Sequence, residues 1–515
     1  MFATLYKQAR TVVCIMLAVA TFLSSFASCK KGGTNSHIQQ GTNTGEINQT
    51  AGNIVALPYS AKDTLNPYNS ETKQNQELTK LLFDPLFKVK EDFTVTNHLA
   101  SSYELNSNTA TVKLKSVKFT DGSPLTADDI VYSFNKAKEN NVYRSQLRYI
   151  SSCTAIDSTT VSFVCAVNNP NFINLLDFPI IKSGTYDLKD ENNRVIAPVG
   201  CGRYMFDYEK KILNANNSYY GGNIKLKSIS LIDCPDESSF NHNISVGNIA
   251  YVYSDLTDNV IPKKSGTPTA TFGTNLVFIG TNCNAGALSD TKLRLAISSA
   301  IDRTQLCSKS FYAYAEEATN LFPSRWSEIN GYESLNKTQN LKQTVAYLEE
   351  IGYNRKDADG YFVNDKGKRI TLNLLCNSEN TARTACAELI SSQLNKCGFE
   401  VTVTQKAWAD YSNDLTYGNF DLYIGEVKLD KSLYLGSLLS PSVISGYPAE
   451  CECAAKFAEF YSGNSEVTAA ISSFATELPF IPVCYKNGVS ICSEWLDGYI
   501  DFSISDVYNG IENYG

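Results

Sequence analysis

The sequence predicts an α/β protein of two lobes behind a short N-terminal tether, and three observations predict it. The chain has 515 residues and 43% hydrophobic composition, enough apolar material for a large interior but too much for one, because cores split beyond about 250–300 residues. Helical and extended patterns alternate through both halves, as they do where helices cover sheets. The first 50 residues differ in composition from everything that follows.

At the amino end, Lys7 and Arg10 precede an apolar run over residues 12–23. That run is shorter than the ~20 residues a spanning helix needs and reads as the centre of a cleaved export signal, residues 1–28. Phe26-Ala27-Ser28-Cys29 resembles the lipobox at which bacteria attach diacylglycerol and then cut, although the pattern usually has Leu at the position of Phe26. Cys29 would then be the lipid-bearing mature N-terminus. Residues 29–50 are mostly Gly, Asn, Thr, Gln and Ser and too polar to bury surface, so they read as a flexible tether. No later stretch approaches the length of a spanning helix, and the body is expected to be soluble on the outer face of the membrane.

Formal charge is −8; without Lys7 and Arg10, 43 basic face 53 acidic residues, giving −10. Such a balance recruits no nucleic acid by charge. Of 15 cysteines, Cys14 leaves with the signal and Cys29 is lipidated, so 13 remain, without the C-x-x-C pairs of zinc sites. Cys153 and Cys165 flank an expected hairpin at Asp157-Ser158-Thr159-Thr160 and either face each other as a disulfide or stay buried and reduced. Cys451-x-Cys453 is too short a motif to argue for a metal.

Along the body, residues 54–59 form an apolar strand, and Asp63-Thr64-Leu65-Asn66-Pro67 turns the chain. Alternation over 111–119 predicts two short half-buried strands. After the turn Asp121-Gly122-Ser123-Pro124, Thr126-x-x-Asp129 predicts a capping box opening a helix whose buried face is Ile130, Val131, Phe134 and Ala137. Asp128 and Asp129 lie in its first turn, where the helix dipole favours negative charge, and are structural. Residues 162–167 form a strand, and the glycines of Ala197-Pro198-Val199-Gly200-Cys201-Gly202-Arg203-Tyr204 are backbone turns, because no phosphate-loop Lys and Ser or Thr follows. A second pattern begins near Asn275: strand 276–279, a helix from Asp290, and helices 341–351 and Thr381–Cys397, stopped by Gly352 and Gly398. Strand 400–403 follows, and no internal repeat is visible.

Three histidines, His37, His98 and His242, leave little for imidazole chemistry. There is no G-x-S-x-G elbow or H-E-x-x-H motif, His98 beside Leu99-Ala100 reads as structural, and no carboxylate pair stands out. No catalytic residue, metal site or cofactor is expected.

These residues fall in an order that resembles the family 5 extracellular solute-binding proteins of ABC transporters, nearly end to end. Leu65-Asn66-Pro67, Leu82-Phe83-Asp84-Pro85-Leu86-Phe87 and His98-Leu99-Ala100-Ser101-Ser102-Tyr103 match its early segments, with Tyr103 where Trp is common. Val117-Lys118-Phe119-Thr120-Asp121-Gly122-Ser123-Pro124-Leu125-Thr126-Ala127-Asp128-Asp129 is the most specific piece. Pro198-Val199-Gly200-Cys201-Gly202-Arg203-Tyr204, Asn216-Asn217-Ser218-Tyr219-Tyr220-Gly221-Gly222 and the helix from Arg294 to Ala300-Ile301-Asp302-Arg303 continue the match.

The resemblance implies a two-lobed, type II periplasmic-binding-protein-like fold with a hinge and an extra subdomain in the first lobe. Lobe I would take 51–271, with the subdomain at about 84–197, lobe II 272–478, and 479–515 would return to lobe I. It implies a substrate-binding component that captures a small solute, foremost a peptide, and delivers it to ABC permease subunits as a monomer. Trp408, Tyr143 and Tyr485 would line the pocket. Asp430 would pair with the ligand's amino terminus, but the Trp expected before it is Val427, and a gapped match to Tyr434 displaces it, leaving Glu426 as the substitute. The alternative is an extracellular peptide sensor or adhesin on the same fold. A nickel chelate stays open as ligand.

Overall fold

Apolar strands and one-sided helices sort into two main hydrophobic cores. The computed structural model describes residues 53–515 except 192, 257–260, 267 and 330, so the expected signal, Cys29 and the tether lie outside the described residues. The first core gathers side chains from Val55 to Tyr251 and again from Leu496 to Ile511. The second gathers Phe93 and then side chains from Phe272 to Tyr485. The chain builds the first core, crosses to the second and returns. No helix among the described residues is long and apolar enough to cross a membrane.

Three larger sheets carry the layers. Ala56–Tyr59 pairs in parallel with Ser228–Asp233, which continues antiparallel into Ile212–Ala215 and Tyr204–Asp207. Ala100–Asn106, Thr109–Leu114, Thr160–Cys165 and Ile150–Asp157 make an antiparallel sheet over helix Ala127–Glu139. The seven-stranded sheet runs Tyr251–Ser254, Phe480–Cys492, Pro268–Thr281, Leu422–Lys428, Thr371–Asn377, Glu400–Lys406, with Ala315–Glu317 attached to Phe480–Cys492. Its two long strands form a ribbon between the cores. Their pairing is interrupted between Thr271 and Asn275, where a Cβ on Gly273 would lie 2.0 Å from the Lys486 carbonyl oxygen.

Local signals in the sequence are met where the backbone alone decides. The Thr126 N–H and hydroxyl reach the Asp129 carboxylate at 2.8 and 2.9 Å, closing the capping box, and Asp129 also accepts from the Ser183 N–H. Helix Thr381–Cys397 ends as predicted, with Gly398 at φ +106°. One expectation is corrected and one open alternative is decided. Only Thr109–Leu114 is a strand within 109–119, because the chain beyond it makes a single bridge, Lys118 to Pro124. The hairpin Ile150–Asp157/Thr160–Cys165 forms, but its register sets Cys153 opposite Phe163 and Cys165 opposite Ile150. Both thiols are therefore free, as are the other cysteines among the described residues, and burial pushes Cys153 up to about 12.

Candidate functional site

Thr371–Asn377 runs parallel to both Glu400–Lys406 and Leu422–Lys428. The carboxyl ends of these three strands share one edge of the sheet, the place where α/β proteins leave a crevice for ligands. Chemistry-bearing residues follow each strand: Glu379 and Arg383, then Trp408, then Asp430 and Lys431 beyond Lys428. From the first core, helix Lys73–Leu82 carries Glu77 and Lys80, and Asp255 follows the strand Tyr251–Ser254; the charges of all three act on Lys428.

Lys428 marks the crevice. Its side chain is exposed, yet the surrounding walls desolvate the ammonium and hold it below the usual lysine range, while Asp255 opposes the shift and Lys431 adds to it. Glu77 and Lys80 from the first core act on it as well. Neighbouring cations are neutralised: Lys80 by Glu77, Lys431 by Asp177, and Lys486 by Glu426 at 3.3 Å. Lys428 has no such partner among the described residues. Several contacts join the two cores beside it. Arg148 reaches the Ser437 hydroxyl at 3.2 Å, Asn174 donates to the Lys431 carbonyl at 3.0 Å, and the Tyr149 and Tyr434 rings meet edge-on at 5.0 Å.

The structure brings two of the predicted residues to this junction. Asp430 accepts the Ser432 N–H and hydroxyl at 3.0 and 2.6 Å and lies 3.8 Å from Arg148. Burial raises its pKa, against the Ser432 hydroxyl and Arg148. Tyr143 is half-buried, edge-on to Tyr68 at 5.8 Å, beside a small cavity walled by Asp177, Lys431 and Asp506. Trp408 opens helix Trp408–Tyr417, half-buried, with its backbone N–H donating to the Glu379 carboxylate at 3.3 Å and its ring 5.7 Å from that of Tyr411. Tyr485 is 1% exposed within the second core and donates to the Leu321 carbonyl at 2.6 Å. Glu426 is held by Lys486 and by the Asn275 amide at 3.3 Å.

Sequence reasoning missed Glu77, Lys80 and Lys428. The last left a signal, since Glu426 and Lys428 place two charges at i, i+2, on one face of an otherwise apolar strand. No imidazole reaches the crevice among the described residues: His98 lies 3.1 Å from buried Asp84, and His242 is on the exposed side of helix Glu237–Ser245.

Comparison with known proteins matches residues 94–434 to the family described as bacterial extracellular solute-binding proteins, family 5 Middle. The oligopeptide-binding protein AppA of Bacillus subtilis (strain 168) is 26% identical over 444 residues, covering 81% of this chain and 80% of that protein. The periplasmic murein peptide-binding protein MppA of Escherichia coli (strain K12) is 24% identical, with 96% of each chain covered. The unliganded open form of the MppA murein tripeptide-binding protein superposes with a TM-score of 0.73 at 19% identity, over 90% of this chain and 96% of that one. The chain belongs to the family 5 bacterial extracellular solute-binding proteins and has their type II periplasmic-binding-protein fold.

Proposed function

We propose that the protein is the substrate-binding component of an ABC importer, which encloses a peptide or similar small solute between two lobes and hands it, chemically unaltered, to membrane permease subunits. The observation that carries this reading is the crevice at the carboxyl edge of three parallel strands, which offers both signs of charge beside aromatic rings. A peptide presents an ammonium, a carboxylate and backbone amides, and each buried charge needs an opposite partner. Lys428 suits the ligand's anionic group. Asp430 suits its amino terminus once Arg148 moves aside, with Glu426 as the substitute. Trp408 and Tyr143 would wall the site, whereas Tyr485, expected there from the sequence, is enclosed in the second core and bonded to the Leu321 carbonyl. Relatives named for oligopeptides and murein peptides support the choice of ligand class.

In this reading the lobes are 51–271 with 479–515, and 272–478, and the subdomain is about 84–197. The ribbon of Pro268–Thr281 and Phe480–Cys492 is the hinge, bending where its pairing is interrupted. A lipid on Cys29 and the tether 29–50 hold the monomer at the outer face of the membrane.

The test is native mass spectrometry of small molecules retained by the purified protein and by Asp430→Ala and Lys428→Ala variants. Peptides on the wild type and depleted from either variant are expected. A sugar or a metal chelate in their place would overturn the ligand class while leaving the fold untouched.

A further inference from the structure

Away from the crevice, the helix pair Glu452–Tyr461 and Val467–Glu477 folds back so that the end of the second helix meets the start of the first. The Glu477 carboxylate accepts the backbone N–H of Glu452 on one oxygen and of Cys453 on the other, each at 2.8 Å. The oxygen that takes the Cys453 N–H also lies 2.9 Å from the Cys451 sulfur, which lies 2.9 Å from the Cys453 sulfur. The Tyr447 hydroxyl is 3.6 Å from Cys453. The three ligand atoms of Cys451, Cys453 and Glu477 all fall within 4.8 Å of one another. We propose that Cys451, Cys453 and Glu477 form a binding site for a thiophilic divalent cation of the zinc and cadmium class, tying the two helices together.

The donor set selects the class. Two sulfurs and one carboxylate suit a soft or borderline d10 ion, which binds Cys at ~2.3 Å and a carboxylate oxygen at ~2.0–2.2 Å. Calcium and magnesium take oxygen shells and are poorly served here. Bridging the two sulfurs requires them to part slightly, which side-chain torsions supply. Glu477 is already oriented by two backbone donors, the kind of outer support that fixes a metal ligand in place. Cys453 and Tyr447 are buried while Cys451 is half-exposed, so the ion enters past Cys451 and solvent completes its shell.

The Cys451 thiol donates toward the Glu477 carboxylate at 2.9 Å, so the proton it gives up on binding is already directed along the line to the third ligand. Binding forms two metal–sulfur bonds and one metal–oxygen bond and releases both thiol protons to water. Two thiolates, a carboxylate and a divalent cation leave one negative charge. Arg294, which donates to the Glu477 carbonyl at 2.6 Å, stands beside it. The sequence pair Cys451-x-Cys453 argues no metal by itself, because the third ligand arrives only through the helix pairing.

The test is titration of the full chain with Cd²⁺ in a phosphine reductant, read by native mass and by the near-ultraviolet thiolate-to-cadmium absorption. One equivalent should bind, with proton release that falls as pH rises. Cys451→Ser should abolish the absorption, and Glu477→Gln should weaken binding about tenfold or more. Absence of a stoichiometric equivalent, or an unchanged titration in Cys451→Ser, overturns the proposal. Because Cys453 is buried, Cys451→Ser is the deciding variant, with circular dichroism as its folding control.

Discussion

Arg203 is 1% exposed, and its guanidinium donates to Asp506 and Glu512 at 2.6 Å each. Burial works against the Asp506 charge, but Arg203 and Lys88 outweigh it and hold its carboxyl far below the usual range. Asp506→Asn would leave a buried cation short of a partner, so a loss of about 3–5 kcal/mol is expected in a urea titration. The pH dependence follows in sign. A carboxyl whose folded pKa lies below its unfolded value of ~3.9 contributes fully above that pH and progressively less as pH falls through the folded value. Acid unfolding monitored by circular dichroism should therefore begin below about pH 4 in the wild type, and this component should be missing in Asp506→Asn. Arg303 is a contrasting case: it has no carboxylate partner among the described residues, donates to the Pro482, Asn336 and Ser298 carbonyls and the Ser298 hydroxyl, and is pushed down to about 10 by burial. Arg203 and Arg303 thus brace the fold through partners within it. Lys428→Ala should weaken binding of a ligand with a free carboxylate by about 1.5–3 kcal/mol in calorimetry, and that of its amidated form much less.

Among the elements, Thr381–Cys397 and its neighbours were legible because their signals are local. Asn380 caps the helix by accepting the Arg383 N–H at 2.9 Å, and Gly398 closes it with left-handed backbone. A Cβ on Gly398 would meet the Gly360 carbonyl oxygen at 2.9 Å, so Gly398→Ala should cost more than the ~1–2 kcal/mol of the backbone conformation alone. Loss of the capping box in Thr126→Ala should cost about 1 kcal/mol. Both losses should appear in denaturation midpoints and leave ligand affinity unchanged, since neither residue faces the crevice. Of the two readings open for Cys153 and Cys165, the buried and reduced one holds. Spacing around a turn suggests which residues are near, but the strand register, shifted between Ile150 and Ser152 and between Ala155 and Asp157, decides which ones face each other.

Across the whole molecule, Arg148–Asp430, Lys431–Asp177 and Arg325–Glu91 join side chains of the two main bodies. Asp177 is 1% exposed at its side chain, but Arg148 and Arg325 are nearly half exposed, and salt weakens such solvent-facing pairs. The ligand-free protein should therefore expand in small-angle scattering as ionic strength rises from about 0.01 to 1 M, a range over which the Debye length falls from ~30 to ~3 Å. Bound peptide should suppress that expansion; an unchanged radius of gyration in both states would argue against a hinge. The sequence by itself determined the α/β class, the caps and glycine stops, the scarcity of imidazole and the motif order that marks the family, because each is written in neighbouring residues or in composition. Tertiary structure alone decided that Asp430 meets Arg148, that Tyr485 is sealed in a core, and that Glu477 joins Cys451 and Cys453. Those relations depend on strand order and helix pairing, which bring together residues whose separation along the chain carries no trace of their contact.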